Sequence, residues 1–185
     1  GFGLPTLVSD FLPAGKEAFA YLDRSVPLGK DRILNPQLAT AEILQAAEVS
    51  EQDNVLLIGA GTGYMAALLA GRVTKLVAVE SDSGLAKAAA TNVPGLKLVE
   101  GNLAEGAPKG APYSLILIDG AIETLPDAIV AQLAEGGRIV TGLVDGPVRR
   151  LAIGTKHGGH VALRPFADIE IAPLPGFEKA REFVF

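Results

Sequence analysis

The chain of 185 residues carries 16 Lys and Arg against 21 Asp and Glu, a net charge of −5, and is 49% hydrophobic and 20% charged. That length and apolar fraction suit one folded domain with a sizeable core and exclude wholesale disorder, while the acidic balance argues against a nucleic-acid-binding face or a polybasic membrane patch. With no Cys and only His157 and His160, a disulfide framework, thiol catalysis and Cys/His zinc chemistry are excluded, no metal site is expected, and a reducing cytoplasm is the natural home.

Charge is uneven: residues 1–145 hold 10 basic and 17 acidic side chains, residues 146–185 hold 6 and 4. The longest uncharged run, residues 54–71, contains four glycines, so it reads as strand, turn and helix rather than a membrane span. Without an initiator Met or a basic leader, Gly1 reads as a trimmed end with residues expected upstream. Pro5, Pro13 and Pro27 break up the first thirty residues, leaving a short amphipathic piece at 15–22 as the helical candidate there. A helix is predicted over 36–47, with Asn35 as N-cap, Pro36 at the first helical position, and Leu38, Ala41, Ile43, Leu44 and Ala47 as its apolar stripe.

From residue 54 strands and helices alternate. Strands are predicted at 55–58, 75–79, 96–99, 114–118 and 138–143. Helices are predicted at 63–71, 83–92 and 125–133, with a turn at Glu135-Gly136-Gly137. Near-continuous apolar strands separated by helices indicate a doubly wound α/β fold, its mostly parallel sheet covered on both faces. After Pro147 the helices stop. Residues 148–155 and 161–166 read as a hairpin around His157-Gly158-Gly159, an antiparallel addition to the sheet, and 183–185 as a last strand. Residues 1–53 form an N-terminal cap and lead-in helix, and 54–185 the ligand-binding core, of one compact domain.

The most informative stretch is Gly59-Ala60-Gly61-Thr62-Gly63, at the end of an apolar strand and the start of a helix. Glycines there let a ligand approach the backbone and tolerate positive φ. A dinucleotide loop reads G-x-G-x-x-G; here the spacing is G-x-G-x-G, which resembles the S-adenosylmethionine (SAM) loop of Rossmann-like methyltransferases. Glu80 closes the second strand at the carboxyl edge, with Ser81 beside it; a carboxylate there can accept hydrogen bonds from both ribose hydroxyls of SAM or of NAD alike, or simply be a solvated strand end. As a strand-end acid Glu80 is expected to matter little to the core. Asn102 and Leu103 follow the third strand, suited to an adenine amino group and ring, although Gly101-Asn102 is also a good turn in its own right. Asp119 follows the fourth strand, either near the reacting group or as a cap for the next helix.

With these residues the chain resembles the protein-L-isoaspartate O-methyltransferase family from about residue 11 to 185. The landmarks are Ala20-Tyr21, Pro27-Leu28-Gly29, Ile33-Leu34-Asn35-Pro36, the glycine loop, Ala111-Pro112-Tyr113-Ser114 and residues 133–140. The resemblance implies a SAM-dependent enzyme that methylates the side-chain carboxylate of isoaspartyl residues in proteins. Gly59, Ala60, Gly61, Thr62 and Gly63 would then cradle the methionine end, Glu80 would hold the ribose, and Asn102 and Leu103 would flank the adenine, with Ser81 a further cofactor-binding candidate. Asn35 and Asp119 would be the catalytic candidates. Three departures stand out. Leu34 replaces an active-site Ser, Asn102 replaces an acid, and Asp119 replaces a Thr.

A carboxylate acceptor is already ionised near neutral pH and needs no base, whereas an amine or hydroxyl must lose a proton that Asp119 could take. Asp119 beside the methyl would repel an incoming carboxylate unless it is protonated or paired with a base such as Arg32. Three functions stay open: a methyltransferase of the isoaspartyl type, with the same or another acceptor; a non-catalytic SAM-binding module; and, ranked last on glycine spacing, a nicotinamide oxidoreductase. The expected partner is a protein or peptide methyl acceptor, with no nucleic acid and no membrane.

Overall fold

The computed structural model describes residues 8–14, 16, 24–29 and 31–183. Strands β1 (Val26–Gly29) and β2 (Arg32–Leu34) make an antiparallel hairpin ahead of helix α1 (Gln37–Ala47). Then follow β3 (Asn54–Ile58), α2 (Tyr64–Ala70), β4 (Lys75–Glu80), α3 (Ser83–Asn92), β5 (Lys97–Glu100), β6 (Tyr113–Ile122), α4 (Asp127–Gln132) and β7 (Leu133–Asp145). β8 (Val148–His157), β9 (His160–Val161) and β10 (Arg164–Asp168) complete the order. Apart from the hairpin β1–β2, the strands form one sheet in the order β10-β8-β7-β6-β3-β4-β5, with β9 on β8. β7, β6, β3, β4 and β5 run parallel, and β8, β9 and β10 join antiparallel. The winding reverses between β3 and β6, because β3 continues to β4 on one side and receives β6 on the other.

The period-2 geometry of a strand explains why the central strands are apolar throughout. Val55 and Leu57 enter one core with Ile43, Leu44 and Met65, while Leu56 and Ile58 enter the other with Ile129, Leu174 and Phe177. Each fully buried Leu or Ile contributes about 1.5–3 kcal/mol relative to leaving it in water. α1, although part of the predicted N-terminal cap, packs Ile43, Leu44 and Ala47 into the same core as β3. Among the described residues no helix is long and apolar enough to cross a membrane.

Several boundaries move for tertiary reasons. β6 runs on to Ile122 because its tail pairs with β7, Ala121 opposite Gly142 and Ile122 opposite Leu143, and residues 172–174 also lie beside it: Ala121 N donates to Ala172 O at 2.8 Å, and Leu174 N to Ala121 O at 2.9 Å. Asp119 therefore sits within a strand and caps no helix. The helix predicted over 125–133 ends at Gln132, since Leu133 already pairs with Tyr113; the glycine turn is accommodated as a register shift before Arg138 meets Leu115. Asn35 is not the N-cap of α1. Pro36 takes that position without a side-chain cap, and Asn35 is spent on tertiary contacts. The predicted piece at 15–22 lies, Lys16 apart, outside the described residues. Phe183 is exposed and in no strand, and the two residues after it are outside the description.

One polar network ties α1 to the sheet. Arg138 holds both oxygens of Asp53 at 3.1 and 2.9 Å and donates to the carbonyls of Ala47 and Glu48, while Ser114 donates to Asp53 at 2.7 Å. Burial on its own would raise the Asp53 carboxyl, but the Arg138, Ser50 and Ser114 hydrogen bonds outweigh it and bring it from 3.8 to about 2. A carboxyl depressed on folding contributes stability that is present above its unfolded value and lost as pH falls through its folded one. Between about pH 4 and pH 2 the parent should therefore lose about 2 kcal/mol that Asp53→Asn does not lose. Urea unfolding of both proteins across that range measures it, and parallel acid limbs would refute it.

Candidate active site

The glycine loop leaves the carboxyl end of β3 beside the point where the winding reverses, the place at which open α/β sheets bind ligands. Gly59, Gly61 and Gly63 have φ of +86°, +56° and +98°, values that side-chain-bearing residues rarely adopt. A Cβ on Gly63 would lie 3.2 Å from Ala89 Cα, so that glycine is needed for close packing against α3. A Cβ on Gly61 would meet nothing nearer than the tip of Leu28 at 3.7 Å, so that glycine faces space. Ala60 is buried, and its N–H, like that of Gly59, donates to Val79 O at 3.0 Å. Thr62 donates its hydroxyl to Phe11 O at 2.5 Å. A cavity of about 710 Å³ lies beside the loop, touching it at Thr62 and otherwise lined by residues such as Phe11, Leu28, Gly29, Asp82 and Leu85. Its volume suits a nucleoside-sized ligand.

Glu80 is fully buried, not a solvated strand end. Its Oε1 accepts from Gly61 N at 2.7 Å and Arg32 Nη2 at 2.8 Å. Its Oε2 accepts from Arg32 Nη1 at 2.5 Å, Ser81 N at 2.7 Å and Asp82 N at 3.0 Å. Ser81 contributes this backbone N–H and exposes its side chain. Arg32 reaches Glu80 because β2 alternates: Arg32 and Leu34 are buried and Ile33 between them is exposed.

Asn35 joins three parts of the edge. Its Nδ2 donates to Asp119 Oδ1 at 3.0 Å, and its Oδ1 accepts from Ala172 N at 2.9 Å. The two catalytic candidates are thus in direct contact. Burial pushes the Asp119 carboxyl up, and nearby Glu80 adds to this, while the Asn35 hydrogen bond and the Arg32 charge pull it down. The two adenine candidates differ in exposure. Asn102 is exposed and accepts from Ala104 N at 3.0 Å, capping a short 3-10 turn, whereas Leu103 is buried in the core with Phe177 and Leu174. Leu174 also covers the loop, since a Cβ on Gly120 would fall 2.3 Å from its Cγ and one on Gly59 3.1 Å from its Cδ1.

A protein-family model described as protein-L-isoaspartate(D-aspartate) O-methyltransferase matches residues 7–177. The chain belongs to this family. A protein-L-isoaspartate O-methyltransferase of Methanoculleus marisnigri is 33% identical over 171 residues, 90% of this chain and 78% of that protein. One from Koribacter versatilis is 30% identical over 172 residues, again 90% and 78%. A solved protein-L-isoaspartate O-methyltransferase superposes with a TM-score of 0.81 at 21% identity, covering 94% of this chain, which spans 59% of that one. A Plasmodium falciparum relative, solved with S-adenosyl-L-homocysteine, gives a TM-score of 0.75 at 15% identity and coverage of 90% and 84%. Membership makes this chain a methyltransferase-family enzyme with the doubly wound sheet and antiparallel addition expected from its sequence.

Two features of this family member escape a reading by motif. The Arg32–Glu80 pair joins residues 48 apart, and its one local signal is a charged residue sharing the inward face of a short strand with Leu34. The cover supplied by Leu174 has no local signal, because it depends on where the chain returns after β10.

Proposed function

We propose that the chain binds SAM across the glycine loop and transfers its methyl group to a carboxylate on a protein or peptide. Gly59 to Gly63 would hold the methionine end, Glu80 and Ser81 the ribose side, and Asn102 the adenine side, with Asn35 and Asp119 facing the acceptor. The carrying observation is the left-handed glycine loop at the winding reversal, its Gly61 N–H aimed at a buried carboxylate 2.7 Å away. The loop fits such a ligand: its backbone has room above Gly61, and a cavity of suitable volume lies beside Thr62. SAM, when bound, supplies a methyl group on a sulfonium sulfur.

The protein's own task is alignment and electrostatics. Asn35 fixes the orientation of Asp119, and Leu174 packs against the Gly59 end of the loop. Asp119 also favours a second reading, an amine or hydroxyl acceptor, because a carboxyl raised by burial is suited to take a proton.

Gly61→Val tests the assignment. A β-branched side chain at φ +56° is strained and would occupy the space above the loop. SAM binding by calorimetry should fall at least about a hundredfold, equivalent to ~2.7 kcal/mol. Parent-like affinity in this variant would remove the loop from the cofactor site.

A further inference from the structure

Glu80 carries more hydrogen-bond donors than a site waiting for a ribose would show. A carboxylate has about four lone-pair positions. Gly61 N, Ser81 N, Asp82 N and both terminal nitrogens of Arg32 converge on its two oxygens, and the side chain is fully buried. Three of those donors are backbone amides fixed by the loop and by the entry to α3. Arg32 is the exchangeable one. It sits on β2, just past a turn with Gly29 at φ +97° and Asp31 at φ 61°, and the same hairpin lays Leu28 over Gly61 and lines the cavity beside the loop.

We propose that Arg32 is an internal occupant of the ribose seat: its guanidinium and the vicinal diol of the cofactor compete for the two oxygens of Glu80, so the diol binds only as Arg32 withdraws. This rests on the reading that the glycine loop and Glu80 hold SAM. The fork of a guanidinium matches a carboxylate in two parallel hydrogen bonds, which a pair of neighbouring hydroxyls can replace in number but not in charge. The exchange therefore cancels most of the affinity that the diol would otherwise contribute. Arg32 becomes a positioning residue that sets cofactor affinity, and the hairpin that carries it becomes part of the entrance to the cavity.

The test compares S-adenosylhomocysteine with its 2′,3′-dideoxy analogue by calorimetry, on the parent, Arg32→Met and Arg32→Lys. In the parent the two ligands should bind within about threefold of each other. In Arg32→Met the diol-bearing ligand should gain about tenfold while the dideoxy analogue stays unchanged, a selectivity that a merely structural ion pair would not produce. Arg32→Lys keeps the charge but loses the fork, so it should move in the same direction by about threefold, and it decides the matter if Arg32→Met does not fold. A parent that already prefers the diol tenfold or more overturns the proposal. So do Arg32 variants that show no diol-selective gain. Failure of both ligands to bind any of these proteins, or binding by Gly61→Val equal to the parent, strikes instead at the cofactor assignment on which the proposal stands.

Discussion

Glu80→Gln should destabilise the protein by about 3–5 kcal/mol, the range for breaking one partner of a buried ion pair. The carboxylate is fully buried and takes five donors, so an amide in its place turns an N–H₂ toward Arg32 or toward the backbone N–H groups of Gly61, Ser81 and Asp82. Arg32, itself buried, is then left without its counter-charge. For a chain of this size the loss corresponds to a fall in Tm of roughly 6–20 °C. A melt of the variant within 2 °C of the parent would be incompatible with the pair described above. This revises the expectation from sequence that a strand-end acid contributes little to the core.

The second large effect concerns the acceptor. On an isoaspartyl peptide the parent should turn over slowly, and Leu34→Ser combined with Asp119→Thr should raise the rate at least ten- to a hundredfold. The lower bound comes from one hydrogen bond to a charged group, about 1.5–3 kcal/mol, which a Ser hydroxyl offers and Leu34 lacks. Asp119 adds to the barrier. Two unit charges ~4 Å apart repel by about 4 kcal/mol at an effective dielectric of ~20. Because burial raises the Asp119 carboxyl, its proton is retained to higher pH than usual, and the repulsion grows as that proton leaves. The parent's rate on the peptide should therefore fall, relative to the double variant, as pH rises through the titration of Asp119. Labelled methyl transfer to the same peptide measures both effects. Rapid turnover by the parent with no gain on substitution would assign Leu34 and Asp119 no part in acceptor choice.

What the sequence determined by itself is local and periodic. Apolar strands, left-handed glycines and a helix beginning after Asp82 each depend on steric or hydrogen-bonding preferences within a few residues. β3, α2, β4 and α3 accordingly lie where their patterns put them, and so does the glycine loop between β3 and α2. Tertiary structure decided what each polar side chain near that loop is bonded to. Asn35, which suits a helix cap by type, instead bridges Asp119 and Ala172, residues 84 and 137 positions away. Leu103 is drawn into the core by Phe177, and Glu80 is saturated by Arg32 across 48 residues. A buried polar group takes whichever partner the folded chain brings within about 3 Å, because leaving it unpaired costs more than most local preferences are worth. Partners that distant in sequence leave no periodic trace, so the family and the loop were legible from the residues, and the pairing of Glu80 was not.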